Sequence, residues 1–94
     1  MDQFRDVTAS HRYELVTDGG TVFADYRREG GTVYINHVEA PPELRGTGAA
    51  GRFMQAMLEH IRASGLRAVP VCSYAVAWMQ RHPEFNDIMA KAED

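Results

Sequence analysis

The sequence predicts a small α+β domain. It is expected to hold a mixed sheet, an antiparallel meander plus one parallel strand, with helices packed on it in the order β-β-β-α-β-α. Three observations predict it. Asp18-Gly19-Gly20 and Glu29-Gly30-Gly31 separate runs in which apolar and polar residues alternate, as tight hairpins require. Apolar residues recur at helical spacing from Ala50 to Ile61. A short apolar run, Leu66 to Val71, follows that helix. A helical crossover between two strands makes them parallel. The length agrees, since 94 residues make one domain spanning 1–94, with no room for separate cofactor and substrate domains.

Each element has its own signal. In the first strand Tyr13 and Leu15 alternate with Arg12 and Glu14. In the second, Thr21 to Arg27, Val22, Ala24 and Tyr26 share one face, and Phe23, Asp25 and Arg27 share the other. In the third, Val33, Ile35 and His37 alternate with Tyr34, Asn36 and Val38. Ala40-Pro41-Pro42 ends the ladder, because proline has no N–H to donate. Glu43 to Gly51 carries three glycines, and Ala50, Met54, Met57, Leu58 and Ile61 form the stripe of the first helix. Gly65 stops that helix. Leu66 to Val71 is the fourth strand, and Ser73 is a suitable N-cap for a second helix running to about Arg81. Pro83 ends that helix or opens a last short one through Ala92. There is no internal repeat and no low-complexity linker.

Composition narrows the function classes. Hydrophobic residues make up 45% and charged residues 24%, which excludes disordered and fibrous chains. The net charge of -3 argues against a nucleic-acid partner, which needs a basic face. No apolar run reaches the roughly 20 residues of a membrane span, so no membrane partner is expected. The first residues, Met1 to Arg12, lack the apolar core of a secretory signal. Cys72 is the sole cysteine, which excludes an internal disulfide and a multi-cysteine zinc site. Together these point to the cytoplasm. Lys91 is the sole lysine, so the cations are nearly all arginine. Arginine suits phosphate gripped in a fixed geometry, although genomic composition accounts for the bias equally well.

Arg45-Gly46-Thr47-Gly48-Ala49-Ala50-Gly51 is the most informative stretch. It joins a strand to an amphipathic helix. The first turn of that helix leaves backbone N–H groups without partners, and its dipole is positive there. Small residues let an anion approach the backbone, so the stretch suits a phosphate or pyrophosphate, with Arg45 adding a charged fork. The structural alternative is a helix start that needs only tight packing. Gly46, Gly48 and Gly51 also spell G-x-G-x-x-G, but the dinucleotide reading fails. Pro41-Pro42-Glu43 separates the glycines from the strand, and no acid lies about 20 positions onward.

These residues resemble a known group. Arg45, Gly48 and Ala50, as R-x-x-G-x-A opening a helix, resemble the coenzyme A pyrophosphate loop of the GNAT superfamily of N-acetyltransferases. More narrowly, three segments resemble its minimal single-domain family. They are His37-x-Glu39-x-Pro41-Pro42-Glu43-Leu44-Arg45-Gly46-x-Gly48, then Val69-Pro70-x-Cys72, then Arg81-His82-Pro83-Glu84-Phe85. The resemblance runs from about Tyr13 to Phe85. It implies a reduced GNAT-type fold whose central strands splay apart around acetyl-CoA, and acetyl transfer as the activity. Gly46, Thr47, Gly48, Ala49, Ala50 and Gly51 would then bind the pyrophosphate beside Arg45. Val38, within Asn36 to Glu39, would pair its backbone with the pantetheine arm. Cys72 would lie near the thioester, with Ser73 and Tyr74 beside the cofactor at the start of the second helix. Larger relatives often carry a tyrosine in that helix which protonates the departing thiolate. Ala77 to Arg81 has none, and Tyr74, one turn earlier, is the nearest phenol. The larger enzymes also have extra elements that build an acceptor groove, and this chain lacks them.

Acetyl transfer to an amine needs a base, donors for an oxyanion and an acid for the thiolate. His37 suits the base, since imidazole titrates near neutrality. Alternation with Val33 and Ile35 predicts that it lies on an apolar strand face, with Glu39 on the same face to orient it. The structural alternative is a histidine at the core edge held by a backbone carbonyl. Cys72 ends a strand just before a helix, and a helix N-terminus favours the thiolate. It reads as an acetyl-accepting nucleophile, as a donor to the thioester, or as a small buried hydrophobe. His11 and His60 read as surface or capping residues, and His82 as a turn residue. Met54, Met57 and Met79 read as core, and Trp78 as a core or interface anchor. No histidine spacing suggests a metal. Two functions follow: an acetyl-CoA-dependent acetyltransferase acting on an amine acceptor, or a CoA-binding module without turnover.

Overall fold

A computed structural model describes residues 1–90 of the chain. One sheet holds five strands in sequence order: β1 (Gln3–Val7), β2 (Arg12–Thr17), β3 (Gly20–Glu29), β4 (Thr32–Glu39) and β5 (Arg67–Pro70). The first four pair antiparallel, and β4 and β5 pair parallel. The crossover between them is α1 (Ala49–Ala63), and α2 (Ser73–Gln80) follows β5. The expected α+β mixed sheet is therefore present, with one strand more than the meander predicted.

That extra strand, β1, was hidden by its composition. In Gln3-Phe4-Arg5-Asp6-Val7 the residue that alternates with Phe4 is Asp6, so no apolar face shows in the sequence. The turn after it has no glycine or proline. Thr8–Ser10 form a single 3-10 turn, closed by His11 in the left-handed region at φ 52. Tertiary partners hold β1 in place. Phe4 stacks on Tyr13 at 5.8 Å between centroids and meets Phe53 at 6.4 Å.

The core lies on one face of the sheet. Tyr13, Leu15, Val22, Ala24, Tyr26, Val33 and Ile35 pack against Phe53, Met54, Met57, Leu58 and Ile61 of α1 and Ala75, Trp78 and Met79 of α2. Both helices thus pack on the same side of the sheet. The opposite face, with Glu14, Phe23, Asp25 and Tyr34, is half-exposed.

Two helix boundaries differ from expectation. Cys72, not Ser73, is the N-cap of α2: it is extended (φ -74, ψ 149), and its sulfur accepts the Ala75 N–H at 3.4 Å. Beyond α2, Pro83–Ile88 form a 3-10 helix. Met89 then bridges Ala68, and the Ala90 N–H donates to the Ala68 carbonyl at 2.9 Å. The helix expected through Ala92 therefore stops at Ile88, because Met89 is extended and joins the edge of β5, while Lys91 and Ala92 lie outside the described residues.

Two core tyrosines make alkaline stability a test of this packing. Burial, aided by a 2.8 Å hydrogen bond from its hydroxyl to Asp6, pushes Tyr26 up to about 12. Burial raises Tyr13 further still. Both ionise near 10 in the unfolded chain. Folded-state values above unfolded ones give stability that is complete below pH ~10 and lost as pH rises through ~12. Absorbance titration should show these two phenols still protonated until the far-ultraviolet circular dichroism collapses. Ionisation of all four tyrosines with the dichroism unchanged would contradict it.

Candidate functional site

The glycine-rich turn is anchored from below. Pro42–Leu44 form a 3-10 turn that buries Leu44. Leu44 and Pro41 seat on the β2–β3 hairpin, where a Cβ on Gly19 would stand 2.8 Å from Leu44 and one on Gly20 3.0 Å from Pro41. The first glycine pair therefore supports the loop as well as making the turn, a role its sequence does not display. Above Leu44, Gly46 and Gly48 both adopt left-handed backbone, at φ 79 and φ 80, which side-chain-bearing residues disfavour. Gly48 is the N-cap of α1.

Hydrogen bonding then sorts the loop. The Thr47 hydroxyl donates to the Leu44 carbonyl at 2.6 Å and accepts the Ala49 N–H at 3.2 Å, while the Thr47 N–H goes to Leu44. The first backbone bond of α1 runs from the Arg52 N–H to the Gly48 carbonyl. The N–H groups of Gly46, Gly48, Ala50 and Gly51 have no partner among the described residues. They stand at the positive end of α1, beside exposed Arg45. That donor set fits an anion. Thr47 and Ala49 contribute differently from expectation, because their N–H groups are used to shape the loop itself. Gly51 also lies under Trp78, whose Nε1 would be 3.8 Å from a Cβ there.

Beside this loop the sheet opens. The β4–β5 ladder ends at Ile35 and Pro70. The N–H groups of Val71 and Cys72 both converge on the Ile35 carbonyl, at 2.9 and 3.3 Å, as the chain turns away into α2. β4 runs on to Glu39 with β3 as its neighbour. A bulge makes this possible: Tyr26 pairs with Ile35 but Asp25 pairs with His37, so Asn36 is the extra residue. Beyond it, His37 and Glu39 pair with Asp25 and Phe23. By ladder parity the backbone N–H and C=O of Val38, between them, point away from β3 into the gap.

The bulge also corrects one expectation. Strict alternation puts His37 on the same face as Val33 and Ile35. The extra residue reverses the order, so Val38 packs toward the core, while His37 and Glu39 share the helix-free face with Phe23 and Asp25. The pairing of His37 with Glu39 does occur, at 2.9 Å between Nε2 and Oε1, and both side chains are exposed. Phe23 lies beside the imidazole, 6.3 Å between centroids.

Cys72 lies on the other side of the gap. It is half-buried against the core, with its sulfur on the first turn of α2. The structure thus brings His37 and Cys72 to the same opening but on opposite faces of the sheet. Ser73 is exposed, and Tyr74 is 37% exposed, its phenol raised chiefly by burial. His82 stacks on Trp78 at 3.5 Å, and its Nδ1 meets the Trp78 carbonyl at 2.7 Å, which makes it a helix-end residue.

Arg52 is the residue that sequence reasoning missed. Its Nη1 donates to the Thr47 carbonyl at 3.1 Å, so the guanidinium lies over the loop. The available signal was its place one turn into α1, since helical side chains lean back toward the N-terminus. Among the described residues no three metal-ligating side chains gather, and no helix is long and apolar enough to cross a membrane.

A glycine-rich helix start, beside a parallel strand pair whose ladder stops at Ile35 and Pro70, places the chain among α+β domains with a mixed sheet covered by helices on one face. Comparison with known proteins gives that class its family. Residues 12–88 match the family model described as GCN5-related N-acetyl-transferase, and the chain belongs to that family. A solved structure described as a "GCN5-like putative N-acetyltransferase" from Staphylococcus aureus has the same fold. Its TM-score is 0.72 at 20% identity, over 97% of this chain and 90% of that one. No curated protein matches the chain significantly.

Proposed function

We propose that the protein transfers an acetyl group from acetyl-CoA to an amine acceptor. The observation that carries this reading is the adjacency of the anion loop to the β4–β5 gap, in a chain of this family. The N–H groups of Gly46, Gly48, Ala50 and Gly51, with Arg45, hold the pyrophosphate. Val38 pairs its backbone with the pantetheine arm in the gap, which leads the thioester toward Cys72. Ser73 and Tyr74 flank it at the start of α2.

The two faces of the gap divide the chemistry. Cys72 serves the thioester side, where the Ala75 N–H on its sulfur stabilises negative charge. His37 serves the acceptor side, on the helix-free face, where Glu39 orients the imidazole that takes the proton the amine gives up. Two routes use these groups. In one, the Cys72 thiolate attacks the thioester carbonyl and the CoA thiolate leaves; the amine then attacks acetyl-Cys72. In the other, the amine attacks the thioester directly and Cys72 hydrogen-bonds it. Both routes end with one acetyl–nitrogen bond formed and one CoA thiol released.

Ligand-dependent melting tests the binding half of this reading. Ligand at ~100 times its dissociation constant adds about 2.7 kcal/mol. For a domain this small, each kcal/mol shifts the melting temperature by roughly 4–8 °C. CoA should therefore raise it by more than about 10 °C, and NAD should not. No shift with millimolar CoA would overturn the proposal. A shift without CoA release from acetyl-CoA across a panel of amines would leave a binding module.

A further inference from the structure

Arg52 and Asp2 are 50 residues apart in sequence and meet at the anion loop. The Arg52 guanidinium is held there by one edge, Nη1 on the Thr47 carbonyl at 3.1 Å. Its other edge faces a carboxylate: Nε donates to Asp2 Oδ2 at 2.7 Å, and Nη2 reaches Oδ1 at 3.5 Å. The loop itself lies close by, since a Cβ on Gly48 would stand 3.7 Å from Nη1. An anion supplied by the chain's own N-terminal segment thus sits on an arginine that itself touches the loop. The Nε–Nη2 edge it uses is the edge that grips phosphate in a bidentate fork.

We infer that Arg52 is a phosphate-binding residue of the loop and that Asp2 is a competing carboxylate, a latch that must yield its edge of the guanidinium when a pyrophosphate binds. This rests on the acetyl-CoA reading above and adds to it a second arginine and an opposing charge. The latch is weak enough to open. Both partners are substantially exposed, and exposed pairs of this kind are worth at most about 1 kcal/mol. A pyrophosphate offers the same edge a charge-assisted pair together with the loop N–H groups, so it wins. Asp2 then lowers affinity without blocking it, and its effect passes entirely through Arg52.

Calorimetric titration of the full chain with CoA and with 3′-dephospho-CoA tests this. Asp2→Asn should tighten CoA by about 2–5-fold, the equivalent of losing one exposed pair. Arg52→Gln should weaken it by about tenfold or more, as expected for a charged hydrogen bond. In the double variant the Asp2→Asn gain should vanish, leaving the affinity of Arg52→Gln alone. Arg28→Gln, at the far end of the sheet, removes the same charge and should change nothing. The Arg52→Gln loss should be the same with 3′-dephospho-CoA, which keeps the pyrophosphate. An unchanged or weakened affinity for Asp2→Asn overturns the latch. So does an equal loss for Arg28→Gln, which marks long-range charge. A loss for Arg52→Gln that disappears with 3′-dephospho-CoA moves Arg52 to the 3′-phosphate and overturns the assignment to the loop. In each of these cases wild-type binding stands, whereas no CoA binding by the wild type removes the acetyl-CoA reading itself.

Discussion

His37→Ala should lower acceptor-dependent CoA release by about 10²–10⁴-fold, the range for loss of a positioned general base, without weakening CoA binding. The separation follows from the bulge at Asn36, which turns His37 onto the helix-free face while the anion loop and Cys72 belong to the helix side. Cys72→Ala distinguishes the two chemical routes. On the covalent route, wild-type protein mixed with acetyl-CoA gains one acetyl group before any amine is added, and Cys72→Ala loses both that adduct and turnover. On the direct route no adduct forms, and Cys72→Ala retains activity at a reduced rate. Intact-mass analysis with CoA-release rates reads both. If neither substitution changes CoA release while folding and CoA binding persist, the catalytic assignment is wrong and the chain is a CoA-binding module.

Gly48→Val should abolish CoA binding in a protein that still folds. A Cβ at Gly48 would find ordinary space, its nearest contact being Arg52 Nη1 at 3.7 Å. The cost is in the backbone: at φ 80 a β-branched residue is strained by about 1–3 kcal/mol, less than the lower end of typical domain stability, ~5 kcal/mol. The fold therefore survives and the loop gives way, turning N–H groups off their common focus and putting two methyl groups where an anion must sit. Circular dichroism should match the wild type, and titration should show no CoA binding. Undiminished affinity would move the phosphate site away from this turn.

How much of this was legible in the sequence depended on how local each cause is. The anion loop was readable because its determinants are neighbours in the chain: Gly46 and Gly48 needing left-handed backbone, small residues after them, and an amphipathic helix beyond. The hairpins and the parallel crossover were readable for the same reason. The strand β1 was not, because Asp6 interrupts its only apolar alternation and its stability comes from Phe4 meeting Tyr13 and Phe53.

The sequence by itself determined the α+β class, the glycine turn at a helix start, the pairing of His37 with Glu39, and Cys72 at the junction of a strand and a helix. Only the tertiary structure decided which way those groups face. The extra residue at Asn36 is a property of how β3 registers against β4, and one residue reverses every side chain after it. It carries His37 and Glu39 to the open face, brings Val38 to the core side and leaves its backbone facing the gap. The seat of Leu44 on Gly19 and the meeting of Arg52 with Asp2 are likewise contacts between distant segments. Periodicity and spacing describe what a chain does along its own axis. Register, splay and long-range ion pairs arise between segments, so they exist only once the sheet has formed.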